Sequence, residues 1–127
     1  MSMTIPLLLE NIAATYPDNT AQLSKDADGT FQPRSWQRLL AEVDACGAGL
    51  LQLGVARGDH VGLISENRAE WFVADLAIMS IGAIDVPRGN DTTPRELAFI
   101  LGFADVRTVF VENAAQLAKV AGIATDL

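Results

Sequence analysis

The sequence predicts an α/β fold, in which a partial parallel sheet of βα units carries helices on both faces and follows an N-terminal helix and a small hairpin. Two observations lead to this prediction. Residues 58–87 have the pattern of a buried strand, a capped helix and a second buried strand, which is one βαβ unit. The same alternation returns between residues 93 and 122, and right-handed crossovers then place the strands side by side.

The first quarter of the chain predicts a helix and a hairpin. Residues 4–16 repeat apolar side chains at helical spacing, and Pro17 ends that pattern. Residues 21–25 and 30–34 are short extended candidates. The turn-forming residues 26–29 lie between them, so we expect a small antiparallel hairpin.

A long helix is predicted next. Ser35 is a suitable N-cap, the apolar stripe runs to Leu53, and Gly54 suits the residue that follows the helix. Gly47 and Gly49 each weaken a helix interior by roughly 1 kcal/mol relative to alanine. Close packing against a neighbouring element would explain why they are tolerated there.

The central βαβ unit begins with the apolar run 61–64, which is typical of a parallel strand buried on both faces. Asn67 is predicted to cap the next helix, with Glu70 at the third position reaching back to it. That helix covers residues 68–81, a length that returns the chain to begin a parallel neighbour at residues 83–86.

The second unit begins at residues 93–96, where Thr, Pro and Glu occupy the cap, first and third positions of a helix start. Residues 108–111 predict the third strand of the sheet. Asn113 with Gln116 opens a last helix, which we expect to end near Gly122.

Composition limits the partners and the location of the chain. Its 127 residues suit one domain, and its net charge of −7 repels phosphate backbones and anionic lipid, so we expect no nucleic-acid partner. We expect no signal peptide, because no basic residue precedes Lys25. The longest apolar run, residues 71–84, contains Asp75 and is too short to span a bilayer. These features predict a cytoplasmic protein without a transmembrane segment.

No set of residues in the sequence predicts catalysis or a metal site. One histidine and one cysteine do not form a zinc site, and His60 is expected to be a turn residue that precedes a strand. Cys46 lies in a helical apolar pattern that is typical of an inert buried thiol. Ser65 follows a strand, but its neighbours form no nucleophile elbow, and we expect its hydroxyl to bond the backbone.

One loop is a weak candidate for binding a phosphate group or cofactor. Arg88, Gly89 and Asn90 follow a strand and lead toward a helix, and they offer a cation and a flexible backbone. The sequence has neither a dinucleotide fingerprint nor a Walker motif. The favoured interpretation is an ordered crossover loop in which Arg88 pairs with Asp85 or Asp91.

The order of several short motifs resembles the amino-terminal end of the AMP-forming acyl-CoA synthetases, in the adenylate-forming superfamily. The segment that follows Val86 is most similar to the long-chain fatty-acid ligases. The motifs that carry the resemblance are Ser35-Trp36, residues 49–55, Gly58-Asp59-His60-Val61, Asn67-Arg68-x-Glu70-Trp71, residues 82–89, and Thr93-Pro94-x-Glu96-Leu97-x-x-Ile100-Leu101.

The resemblance implies a parent enzyme that joins a carboxylate to ATP, forming acyl-AMP and pyrophosphate, before coenzyme A attacks the acyl group. ATP, Mg²⁺ and coenzyme A are thus implied for the parent. The family's phosphate loop ending in lysine, adenine motif, ribose-binding aspartate, hinge and catalytic lysine have no match in this sequence. The resemblance therefore implies that residues 1–127 are an incomplete N-terminal subdomain that has no cofactor site and is inactive alone.

The sequence also predicts partners for the chain, and it leaves an alternative function open. A piece cut from a larger domain would leave a sheet edge or an apolar face uncovered, so we expect the remainder of the enzyme as a partner and self-association of the isolated chain. The alternative is a stand-alone α/β binding or oligomerisation module without catalysis. A receiver-like module is disfavoured because Asp85 is alone at its strand end.

Overall fold

A computed structural model describes residues 2–126, which form five α-helices, five strands and a short 3₁₀ turn at Ala124–Asp126. The α/β class is confirmed. The helices are α1 (Ile5–Thr15), α2 (Trp36–Gln52), α3 (Ala69–Ser80), α4 (Pro94–Phe103) and α5 (Ala114–Ile123). The strands are β1 (Thr20–Lys25), β2 (Phe31–Ser35), β3 (His60–Ile64), β4 (Ile84–Arg88) and β5 (Thr108–Val111).

The strands form the predicted hairpin and a parallel sheet. β1 and β2 pair antiparallel, with Leu23 opposite Pro33. The second sheet has the order β4-β3-β5, and Leu63 of the central strand lies opposite both Pro87 and Phe110. β4 and β5 are therefore the two edges of this sheet.

Helices cover both faces of the parallel sheet, as predicted. One core joins α1, α2 and α3 to one face of β3, where Val61 is fully buried. A second core joins α4 and α5 to the opposite face, where Ile64 is fully buried. Alternate residues of a strand point to opposite faces, so the short apolar β3 supplies both cores.

Two glycines allow elements to approach closely. A Cβ atom on Gly62 would lie 3.2 Å from both methyl groups of Val109 and 3.3 Å from Leu101 Cδ2. A Cβ atom on Gly47 would lie 3.2 Å from Ser80 Oγ, whereas one on Gly49 would have no neighbour within 4 Å. The expectation of close packing therefore holds at Gly47 and is wrong at Gly49.

Three predicted helix caps are confirmed. Ser35 Oγ accepts a hydrogen bond from Arg38 N at 3.2 Å, and Asn113 Oδ1 accepts one from Gln116 N at 3.0 Å. Thr93 and Glu96 form a reciprocal capping box at the start of α4. Gly54 follows α2 with a φ of 90°, a left-handed conformation that glycine adopts without strain.

The predicted cap at Asn67 is wrong. The N-cap of α3 is Arg68, whose backbone is extended (φ −155°, ψ 167°) and whose side chain makes no capping hydrogen bond. Arg68 Nε instead donates to Glu70 Oε2 at 2.8 Å. Glu70 therefore pairs with the arginine and does not reach back to Asn67.

The structure also shifts several predicted strand boundaries by one or two residues. His60 is the first residue of β3, where the sequence predicts a turn, and β4 continues through Arg88. Across residues 2–126, no helix combines the length and apolar character that a bilayer crossing requires.

Candidate functional site

The carboxyl ends of the parallel strands are where an open α/β sheet presents its binding crevice. The chain passes from β3 to β4 on one side and then crosses to β5 on the other, so the direction reverses beside β3. The segments that follow β3, β4 and β5 meet at this edge, and it is the candidate site of the fold.

Glu112 lies at the centre of this edge, directly after β5. Its carboxylate accepts hydrogen bonds from Glu66 N at 2.9 Å, Asn90 Nδ2 at 2.9 Å and Ser65 Oγ at 3.3 Å. The bond from Glu66 N, followed by the one from Asn90, lowers the pKa of Glu112. We call these four residues the strand-end cluster.

The candidate loop is held in place by α5. The carbonyl oxygen of Asn90 accepts hydrogen bonds from Gln116 Nε2 at 3.0 Å and from Lys119 Nζ at 2.8 Å. The same ammonium group donates to Thr92 O at 2.8 Å. The loop is therefore an ordered crossover, as the favoured interpretation of the sequence expected.

The predicted ion pair of Arg88 is not present. Arg88 is exposed at the end of β4, and within residues 2–126 no ion pair joins it to Asp85 or Asp91. Gly89 lies in the turn that follows, where a Cβ atom would be 2.7 Å from Asp91 Oδ1. Of the three candidate residues, only Asn90 contributes its side chain to the strand-end cluster, and Arg88 contacts Ser65 through its backbone carbonyl.

The groups nearest the centre of this edge are acidic. Glu112 places a negative charge at its centre, and the start of α3 has Glu66 and Glu70 beside it. At the N-termini of α4 and α5, the side chains of Thr93 and Asn113 each accept a hydrogen bond from one backbone amide. An anion at this edge would meet the like charge of Glu112.

The side chains of Ser65 and His60 form hydrogen bonds with the backbone. Ser65 is buried, and its single hydroxyl proton is shared between Glu66 O at 2.8 Å and the Glu112 carboxylate at 3.3 Å. The shorter contact confirms the predicted bond to the backbone. His60 lies at the other end of β3, roughly 16 Å along the strand from Ser65. There its Nδ1 hydrogen-bonds to Ala104 O. Burial raises the pKa of the half-buried Cys46 thiol, which makes it a weaker nucleophile.

Two clefts border the strand-end cluster. A groove of about 760 Å³ runs between the β1–β2 hairpin and the segment 66–70, with Lys25 Nζ 5.2 Å from the centre of the Phe31 ring. A smaller cleft of about 220 Å³ lies between α3 and β5, and Trp71 and Phe110 are among its lining residues. Within residues 2–126, no group of three or more histidine, cysteine or acidic side chains is placed to hold a metal ion.

Glu112 is not among the candidate residues that the sequence predicts. The available signal was its position, because it is the first residue after the third parallel strand. Its partners lie 22 to 47 residues away along the chain, and no local pattern connects them.

A family model described as AMP-binding enzyme matches residues 9–127 of this chain. The chain is 29% identical over 94 residues to the long-chain-fatty-acid–CoA ligase FadD15 of Mycobacterium tuberculosis, covering 74% of this chain and 16% of that protein. It is 36% identical over 87 residues to the peroxisomal long chain acyl-CoA synthetase 7 of Arabidopsis thaliana, covering 66% and 12%.

A solved structure has the same fold over nearly the whole chain. The anthranilate CoA ligase AuaEII, in complex with anthranoyl-AMP, aligns with a TM-score of 0.85 and 26% identity over 96% of this chain. The chain covers 22% of that protein. It therefore spans less than a quarter of the length of each of these relatives.

Proposed function

The chain belongs to the family of AMP-binding enzymes, and from that membership we propose that it is the amino-terminal, structural part of an ATP-dependent fatty-acid–CoA ligase. In the parent enzyme a fatty-acid carboxylate attacks the α-phosphorus of ATP, which gives acyl-AMP and releases pyrophosphate. The thiol of coenzyme A then attacks the acyl carbon and releases AMP. Mg²⁺ neutralises phosphate charge in the first step.

The strand-end cluster is the observation that supports a structural role. The edge where an α/β fold binds its ligand is occupied by the carboxylate of Glu112 and three donors of the same chain. This arrangement fixes the segments after β3 and β4 and places a carboxylate at the centre of the edge. We therefore propose that residues 1–127 form an incomplete subdomain of a larger adenylate-forming domain, and that the parent chain continues beyond Leu127.

Calorimetry of the 127-residue chain tests its lack of a nucleotide site. We expect no heat on titration of Mg-ATP, and no pyrophosphate release when a long-chain fatty acid and coenzyme A are added. Micromolar ATP binding would overturn the structural role. Under the same conditions the full natural chain is expected to release pyrophosphate only when a fatty acid is present.

The reading frame after Leu127 separates the two classes of function. A frame that continues into a Ser/Thr/Gly-rich segment ending in lysine supports the ligase. A natural chain that stops there would favour a stand-alone α/β binding or oligomerisation module.

We propose the remainder of the ligase as the principal partner, and self-association when the 127-residue chain is alone. Large apolar side chains that remain exposed support this, among them Phe99 and Phe103 on α4, whose rings stack 5.9 Å apart. A clean monomer in sedimentation at high concentration would count against self-association.

The half-buried reduced thiol of Cys46 supports a cytoplasmic location. The net charge of −7 supports the absence of a nucleic-acid partner. Cell fractionation tests the location.

A further inference from the structure

The outer face of α5, within Ala114–Ile123, carries no charged side chain. Its exposed residues are alanine, leucine and glycine: Ala114, Ala115, Leu117, Ala118, Ala121 and Gly122. Lys119 is the charged residue of this helix, and its ammonium group turns inward to donate to Asn90 O and Thr92 O at 2.8 Å each. A helix at a protein surface normally shows polar side chains to water, and one that is apolar all round is normally covered. The composition of α5 therefore indicates a partner for its outer face.

Helix α4 lies beside α5 on the same side of the sheet and exposes two large rings. Phe99 and Phe103 are 71% and 85% exposed, and their rings stack 5.9 Å apart. They lie on the side of the helix opposite to Leu97 and Leu101, which are fully buried in the core. Single apolar side chains are common on surfaces, but stacked rings next to a helix face without charge form an apolar layer.

The two helices expose side chains of very different size. The rings of α4 protrude, whereas the outward positions Ala114, Ala118 and Ala121 of α5 end at a Cβ atom. Protruding side chains of one helix pack into the shallow surface of another. A two-fold axis between the helices would place the rings of each copy over the small residues of the other. The surface is therefore complementary to itself, as a symmetric contact requires.

The area of this surface suits a weak dimer. A helix of ten residues is about 15 Å long and its neighbour lies about 10 Å away, so the pair offers on the order of 500 Å² per copy. Two copies would bury about 1,000 Å², near the low end of specific interfaces. We propose that the exposed side of α4 and α5, the α4–α5 face, is a contact between two copies of this chain, and that it also forms in the full natural chain. The inference rests on the self-association proposed above and assigns it a surface.

Sedimentation velocity of the full natural chain over a dilution series tests this surface. We expect a dimer whose fraction falls on dilution. Phe103→Ser removes a ring from each side of the contact and is expected to raise the dimer dissociation constant at least about tenfold. The matched control is Phe31→Ser on the hairpin, where the ring is 59% exposed, and it is expected to change that constant by less than about twofold.

A second pair of substitutions tests the small residues of α5. Ala118→Lys places a charge on the outer face of α5, and Ala48→Lys makes the same change on the exposed side of α2. We expect Ala118→Lys alone to weaken the dimer, by at least about tenfold, because association would bury a charge without a partner. A dimer that neither Phe103→Ser nor Ala118→Lys weakens would overturn this surface and leave self-association standing. A full chain that stays monomeric, and still releases pyrophosphate from ATP with a fatty acid, would overturn the inference and leave the ligase function intact.

Discussion

Replacing Asp75 with asparagine is expected to stabilise the protein, and to do so more at pH 8 than at pH 5. Asp75 on α3 lies within hydrogen-bonding reach of Asp85 on β4. Burial, and then the hydrogen bond and charge of Asp85, raise the pKa of Asp75 from its ordinary value of 3.8 to about 7. The asparagine amide retains a donor for Asp85 and carries no charge.

The sign follows from proton linkage. Between pH 3.8 and about 7 the folded state holds a proton that the unfolded chain has released, so stability falls as the pH rises through this window. A fully buried group with this pKa would cost about 4 kcal/mol above pH 7. Both carboxyl groups are partly exposed, and solvent screening reduces the expected gain from Asp75→Asn to roughly 1–2 kcal/mol at pH 8.

Urea unfolding at pH 8 and pH 5, followed by circular dichroism, measures this gain. The matched control is Asp44→Asn on α2, which removes the same charge from an exposed position and is expected to change stability by less than about 0.5 kcal/mol. A lower free energy of unfolding for Asp75→Asn at pH 8 would contradict this prediction. An equal increase in the free energy of unfolding at pH 5 and pH 8 would contradict it as well.

Three further predictions concern local and long-range contacts. Gly49→Ala is expected to increase the free energy of unfolding by up to about 1 kcal/mol and so to raise the thermal midpoint. Gly47→Ala is expected to lower the thermal midpoint, because its Cβ would meet Ser80. Thr93→Ala removes the capping box of α4 and is expected to cost about 1 kcal/mol in urea unfolding, and a cost below about 0.2 kcal/mol would contradict the cap's role. Glu112→Gln weakens charge-assisted bonds, so faster amide exchange in residues 88–92 is expected, and unchanged exchange would show that the strand-end cluster does not hold the loop.

The elements that the sequence predicts correctly depend on neighbours within a few residues. The caps at Ser35, Thr93 and Asn113 each join a side chain to an amide three positions away, so the pattern contains both partners. The cap at Asn67 fails for a tertiary reason. Arg68 Nη1 lies 3.5 Å from Glu112 O, a contact across 44 residues that accompanies the extended backbone before α3.

The strand-end cluster and the edge position of Pro87 were not predictable for one shared reason. A parallel sheet brings together the ends of strands that a whole helix separates in sequence, so the partners of Glu112 are set by topology. The outward direction of Pro87 likewise depends on a register of one residue, because a shift of one would exchange inward and outward groups. The apolar pattern of β3, β4 and β5 is compatible with several strand orders. The observed order β4-β3-β5 makes Pro87 an edge residue, and that position explains how a proline is tolerated inside a parallel strand.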